Sequence, residues 1–115
     1  SASGLAENMA EAPVLIMACI KHDGAPSSLG RGASIYPAVQ NLMLAARGLG
    51  LGTALTTLHK RYEAEIKNLL DIPDNVETAA LIPVGYPAST EHFGGSRRRP
   101  VLELTYLEQW GKLVN

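Results

Sequence analysis

Few residues in this chain have chemistry to offer, and the most prominent are Arg97, Arg98 and Arg99, in succession between Gly94-Gly95 and Pro100. The glycines leave the approach flexible and the proline fixes the exit. Alternate side chains of an extended segment share a face, so Arg97 and Arg99 could converge on one phosphate group. A charge run of this kind is more often simply solvated. Without interleaved aromatic residues it makes a poor nucleic-acid surface, and a net charge of −1 does not help. A single phosphate is the better target. Thr56-Thr57-Leu58, at the end of an expected strand, is a place where a ligand could meet backbone groups, although threonines there are commonplace.

Other constellations fail on spacing or context. His22, His59 and His92 share no ligand spacing with one another or with Cys19, which argues against a metal site. Cys19 reads as a small core hydrophobe. No serine sits in a Gly-x-Ser-x-Gly elbow, so a hydrolase triad has no support. The run from Gly48 to Gly52 has glycine at every second position, but a dinucleotide loop follows a strand and opens a helix. This run closes a helix and enters a strand, so Gly50 reads as a helix terminus.

The elements that must carry these residues follow from periodicity. Residues 4–11 read as a short helical end stopped by Pro13, and Val14 to Ile20 as a strand buried on both faces. Lys21 to Gly32 reads as a loop. The spacing of Val39, Leu42, Met43, Ala46 and Leu49 predicts a helix from Ser34 to Gly50, with Ser34 as N-cap and Pro37 in the first turn. Leu44 and Ala45 are apolar too, so this helix is expected to be buried nearly all round. A strand over Thr53 to Leu58, a helix from about Lys60 to Leu70 and a strand from Thr78 to Val84 follow. Residues 87–100 form a polar loop, and a weakly alternating tail runs from Val101 through Trp110. Pattern alone gives β-α-β-α-β, which reads as a parallel sheet.

Composition bounds the class. At 115 residues, with 46% hydrophobic and 18% charged, the chain is too apolar for a disordered tail and has no run near the ~20 residues of a membrane span. One cysteine excludes an internal disulfide and fits a reducing, cytoplasmic setting. The N-terminal residues, with Glu7 and Glu11 and no basic residue, do not read as a secretory signal.

Several segments, in order and with similar spacing, resemble the C-terminal half of the FMN-dependent nitroreductase family. They are residues 12–16, 32–42, 44–53 and 81–87, and Arg97-Arg98-Arg99-Pro100. The most specific is the Gln40-Asn41-Leu42 helix running into Gly50-Leu51-Gly52, followed by Pro83-Val84-Gly85-Tyr86-Pro87. The resemblance implies an α+β fold, a mostly antiparallel sheet flanked by helices, built as an intertwined homodimer. It replaces the parallel reading. It places residues 34–49 at the subunit interface and makes the tail, with Leu104, Tyr106 and Trp110, an arm reaching the partner. Residues 1–115 then form the C-terminal portion of a single nitroreductase-like domain, with 93–115 as loop and extended arm. This portion is incomplete without the N-terminal half, whose Arg-Ser-x-Arg motif has no counterpart here.

FMN is the implied cofactor. Arg97 and Arg99 match the residues that meet its phosphate, and Thr56, Thr57 and Leu58 match the loop passing its ring. Electrons would pass from NADH or NADPH to a nitro compound, quinone or similar acceptor, with no protein residue obligatory as acid or base. The alternative is a truncated non-enzymatic module that dimerises or binds a flavin or phosphate ligand. Neither nucleic acid nor membrane is an expected partner.

Overall fold

The computed structural model describes residues 9–89 and 93–114. A 3-10 turn at Met9–Glu11 precedes strand β1 (Val14–Lys21), and helix α1 (Leu29–Gly48) leads to the short strand β2 (Gly52–Thr53). A 3-10 turn (Leu58–Tyr62) then runs into helix α2 (Glu63–Leu69), strand β3 (Val76–Gly85) and a last 3-10 turn (Val101–Leu104). The turn at Met9–Glu11 falls within the helical end expected over 4–11. The earlier part of that segment, and His92, lie outside the described residues.

The sheet is antiparallel throughout, in the order β1-β3-β2. The α+β reading therefore holds and the parallel pattern does not. β3 is the central strand, with Val14 opposite Val84 and Lys21 opposite Val76, and with one irregularity between Ala18 and Cys19. Paired on both sides, β3 has the deepest burial: Thr78, Ala80 and Ile82 are fully enclosed. β1, expected to be covered on both faces, pairs only with β3 among the described residues and is at most half-buried. At the far end of the sheet Gly85 is crowded, since a Cβ there would lie 3.0 Å from Pro13 Cδ.

Helix α1 lies across one face of this sheet. Val39 packs with Ala80 and Ile82, and Ile35, Leu42, Met43, Ile16, Ala18 and Val84 close around them. Each fully buried aliphatic side chain contributes roughly 1.5–3 kcal/mol. The helix starts at Leu29 rather than Ser34. Its N-cap is Ser28, in extended conformation, whose hydroxyl accepts the Arg31 N–H at 3.2 Å. Ser34 and Pro37 therefore lie inside the helix. Long-range contacts hold the extra turns: Arg31 pairs with Glu77 at 2.8 Å and the Tyr36 hydroxyl donates to the Ala79 carbonyl at 2.8 Å. These outweigh the single backbone bond that Pro37 forfeits.

The helix ends where glycine predicts. Gly50 has φ +84°, the Gly50 N–H reaches the Arg47 carbonyl at 3.0 Å, and the Leu51 N–H reaches the Ala46 carbonyl at 2.9 Å. That pair of bonds is a Schellman motif.

The expectation of all-round burial for this helix is corrected within the chain: Leu44 is 58% and Leu49 76% exposed. Tyr62, Leu69 and Leu70 of the second helical stripe are exposed as well. The tail carries Val101–Leu104 as a 3-10 turn and then closes on itself. Tyr106 bridges Leu113, and the Tyr106 and Trp110 rings meet edge-on at 4.9 Å. Total exposed surface is 8819 Å², against about 6000 Å² for a compact monomer of this mass.

Candidate functional site

The strand expected over Thr53 to Leu58 is shorter, and the reason is local. After Gly52–Thr53 pair with Gly85 and Val84, the chain leaves the ladder and touches β3 again only at Thr56. There the Thr56 N–H meets the Leu81 carbonyl at 3.0 Å and the Leu81 N–H meets the Thr56 carbonyl at 2.9 Å. The Thr56 hydroxyl accepts the Leu58 N–H at 3.1 Å, turning the backbone into the 3-10 segment that leads to α2. Thr56 is buried, Thr57 exposed and Leu58 half-buried. Of the three expected ligand contacts, Thr57 is the one that presents its side chain outward.

Beyond this turn, side chains take over the role of a strand. Thr78 is fully buried, yet all its polar groups are engaged from residues 59–63. Its carbonyl accepts from Lys60 Nζ at 2.8 Å, its N–H donates to Glu63 Oε1 at 3.1 Å, and its hydroxyl lies 2.9 Å from His59 Nε2. Lys60 also pairs with Glu63 at 2.6 Å and Glu77 at 3.2 Å, and Arg31 pairs with Glu77 from α1.

Hydrogen bonds from Ser27, then Arg31 and Lys60, hold the Glu77 carboxyl at about 2. Burial opposes the charge on Lys60, but Glu63 and Glu77 raise its pKa overall. Burial likewise works against ionised Glu63, and bonds from Lys60 and Thr78 lower its pKa overall. This brace was not singled out from the sequence. Its only trace is a polar Glu77-Thr78 pair opening an otherwise apolar strand.

The remaining candidates are dispersed. The half-buried Cys19 thiol is pushed up by burial and rests on the Met17 carbonyl. His22 Nδ1 accepts the Gly24 N–H in an exposed turn. Among the described residues no three His, Cys, Asp or Glu side chains converge as a metal site would need.

Arg97 and Arg99 lie on exposed, irregular chain. Arg99 Nε sits 3.4 Å from Glu103 Oε2, while Arg97 and Arg98 make no ion pair with the described residues. The loop is fastened near its middle, where the Arg47 guanidinium at the end of α1 lies 3.9 Å over the Phe93 ring. Phe93 also lines a cleft of about 480 Å³ with Pro13, Thr53, Val84 and Tyr86. Neither Thr56–Leu58 nor the arginines line it. No hydrogen bond or ion pair among the described residues joins the threonine turn to the arginine segment.

A long helix on an antiparallel sheet, with a braced turn feeding its central strand, defines the class as an α+β domain whose faces are only partly covered. The profile of the Nitroreductase family matches residues 1–86, and the chain belongs to that family. A Methanothermobacter thermautotrophicus protein, provisionally named NADH dehydrogenase/NAD(P)H nitroreductase, is 36% identical over 105 residues, covering 87% of this chain and 52% of its own length. The structure of NfrA2 from B. megaterium superposes with TM-score 0.74 at 25% identity, covering 94% of this chain and 51% of that one. Iodotyrosine deiodinase, in a structure bound to FMN and 3-iodo-L-tyrosine, superposes with TM-score 0.63 at 25% identity, covering 85% and 54%. The chain spans about half the length of these relatives. No helix among the described residues is long and apolar enough to cross a membrane.

Proposed function

We propose that this chain forms part of an FMN-dependent oxidoreductase that carries electrons from NAD(P)H to a nitro compound, quinone or similar small acceptor, working as a cytoplasmic homodimer. The match to the Nitroreductase family over residues 1–86 carries this reading. Bound flavin would supply the redox chemistry, taking reducing equivalents from the nicotinamide and returning them to the acceptor. The protein's part is to hold and orient.

The donor set suits such a ligand. Guanidinium groups are the preferred partners of phosphate oxygens. Arg97 and Arg99 are exposed, and the only ion pair of either with a described residue is the long, solvent-facing contact of Arg99 with Glu103. Thr57 offers an outward hydroxyl, with the exposed Leu55 and half-buried Leu58 as apolar surface beside it. Thr56 contributes by placing the backbone, because its hydroxyl, N–H and carbonyl are already engaged by Leu58 and Leu81. The exposed outer side of α1 supports a second copy as partner.

Titration of FMN fluorescence against the chain tests the assignment. The double variant Arg97→Ala with Arg99→Ala should weaken binding on the order of 100-fold, from two lost charge-assisted contacts. Unchanged affinity would remove both residues from the site. The second reading, a non-enzymatic dimerisation or flavin-binding module, draws on the same uncovered apolar surface. Steady-state oxidation of NAD(P)H by the chain with added FMN would argue against it.

A further inference from the structure

His59 is the one buried imidazole among the described residues, and nothing in the proposed electron transfer uses it. It is 5% exposed and sits immediately after Thr56-Thr57-Leu58. Its Nε2 lies 2.9 Å from the hydroxyl of fully buried Thr78. Its Nδ1 is also buried and meets no hydrogen-bond partner among the described residues. This asymmetry selects one state of the ring. With the proton on Nε2, the ring donates to Thr78 and leaves only a bare acceptor at Nδ1. Protonation would place a second N–H, with charge, where nothing accepts it.

The surroundings offer that charge little relief. Lys60, from the same turn, is a neighbouring cation. On α2, the Glu63 carboxylate is engaged by Lys60 and the Thr78 N–H, and on β3, Glu77 is engaged by Ser27, Lys60 and, from α1, Arg31. The further charges of α2, Glu65 and Lys67, make no hydrogen bond or ion pair with the imidazole. Burial and Lys60 both lower the basicity of His59, with Glu63 opposing them.

We propose that His59 is a positioning residue: its neutral imidazole, seated on Thr78, holds the Thr56–Leu58 segment against the central strand, and protonation in mildly acidic solution releases that segment. The mechanical link is short. His59 continues the 3-10 turn that begins at Leu58, and the Thr56–Leu81 bridge is the only backbone tie between the 54–58 stretch and β3 among the described residues. An imidazole leaving Thr78 removes one of the three side-chain anchors, with Lys60 and Glu63, that tie this turn to the central strand. The consequence for flavin rests on the reading above. Acid would weaken FMN binding through the turn that passes its ring, in addition to any effect of the phosphate's own titration.

The test compares the wild-type chain with His59→Gln and Thr78→Val. The glutamine amide can donate to Thr78 as Nε2 does but does not titrate, so it should fold and hold the turn at every pH. Amide hydrogen exchange at Thr56 and Leu81, corrected for intrinsic rates, is read between about pH 7.5 and pH 5.5, a window spanning the imidazole range. FMN titrations run in parallel. Acidification should cost the wild type ~10-fold more protection at these amides than His59→Gln, one unit of linked proton uptake being tenfold. Thr78→Val should be poorly protected already at the upper pH.

Identical pH responses in wild type and His59→Gln overturn the proposal. If that happens while FMN binds and depends on Arg97 and Arg99, the flavin reading stands and the positioning role falls. If no variant binds FMN yet Thr56 protection follows His59, the positioning role stands and the reading that this chain by itself holds FMN falls.

Discussion

At the scale of single residues, Glu77 is a group whose ionisation the fold favours. Its carboxyl, ordinarily near 4.5, is held at about 2 in the folded chain by Ser27, Arg31 and Lys60. A lowered acid pKa means the folded state favours the ionised form. That stability is fully present above about pH 4.5 and is lost as pH falls from there towards 2. Glu77→Gln should cost about 2 kcal/mol at neutral pH, because two cations lose a charged acceptor. It should also flatten the acid limb. Urea melts of both proteins across the acid range check this, and parallel acid limbs would contradict it. None of this was legible in sequence, since Arg31 and Lys60 stand 46 and 17 residues away from Glu77. His59 was legible only as a histidine without ligand spacing. Its placement on Thr78 comes from the turn that precedes it.

At the scale of elements, α1 separates local signals from tertiary ones. Its C-terminus was readable because glycine at positive φ is a local requirement, met at Gly50. Its N-terminus was not. Ser34 before Pro37 imitates a helix start, whereas the true cap, Ser28, is followed by two glycines that weaken the local helical signal. The two serines therefore give opposite expectations. Ser28→Ala should destabilise the chain by about 1 kcal/mol, and Ser34→Ala, inside the helix, should leave stability unchanged or slightly raised. Thermal melts followed by circular dichroism at the helical signal distinguish them. The reverse order would return the helix start to Ser34. The segment after β2 teaches the same lesson in miniature: β-propensity favoured a strand through Leu58, and one hydroxyl, that of Thr56, diverted it.

For the whole molecule, uncovered apolar surface is the dominant fact. With 8819 Å² exposed where about 6000 Å² is usual for its mass, the chain leaves much of what its helices present without a partner. If a second copy covers the outer face of α1, native mass spectrometry should record a species of twice 12.2 kDa at micromolar concentration. Leu44→Glu, on that face and outside the core, should convert it to a monomer with little change in fold. A wild-type monomer would remove the homodimer from the proposal. The radius of gyration, 17.4 Å against about 13 Å for a compact chain of this length, shows a chain spread beyond a single compact unit.

What the sequence determined by itself was whatever nearest neighbours decide: the order of elements, the glycine terminus of α1, the existence of β1 and β3, and the motif series that marks the family. Periodicity and turn chemistry act over a few residues, so they survive without a fold. Only the tertiary structure decided that β3 lies at the centre of the sheet, and that α1 extends back to Leu29. It alone turned Thr78 into the anchor of a turn braced by His59, Lys60 and Glu63. Strand order and buried polar pairing depend on which distant segments meet. The energy of a buried hydrogen bond or ion pair belongs to both partners and is invisible in either segment alone.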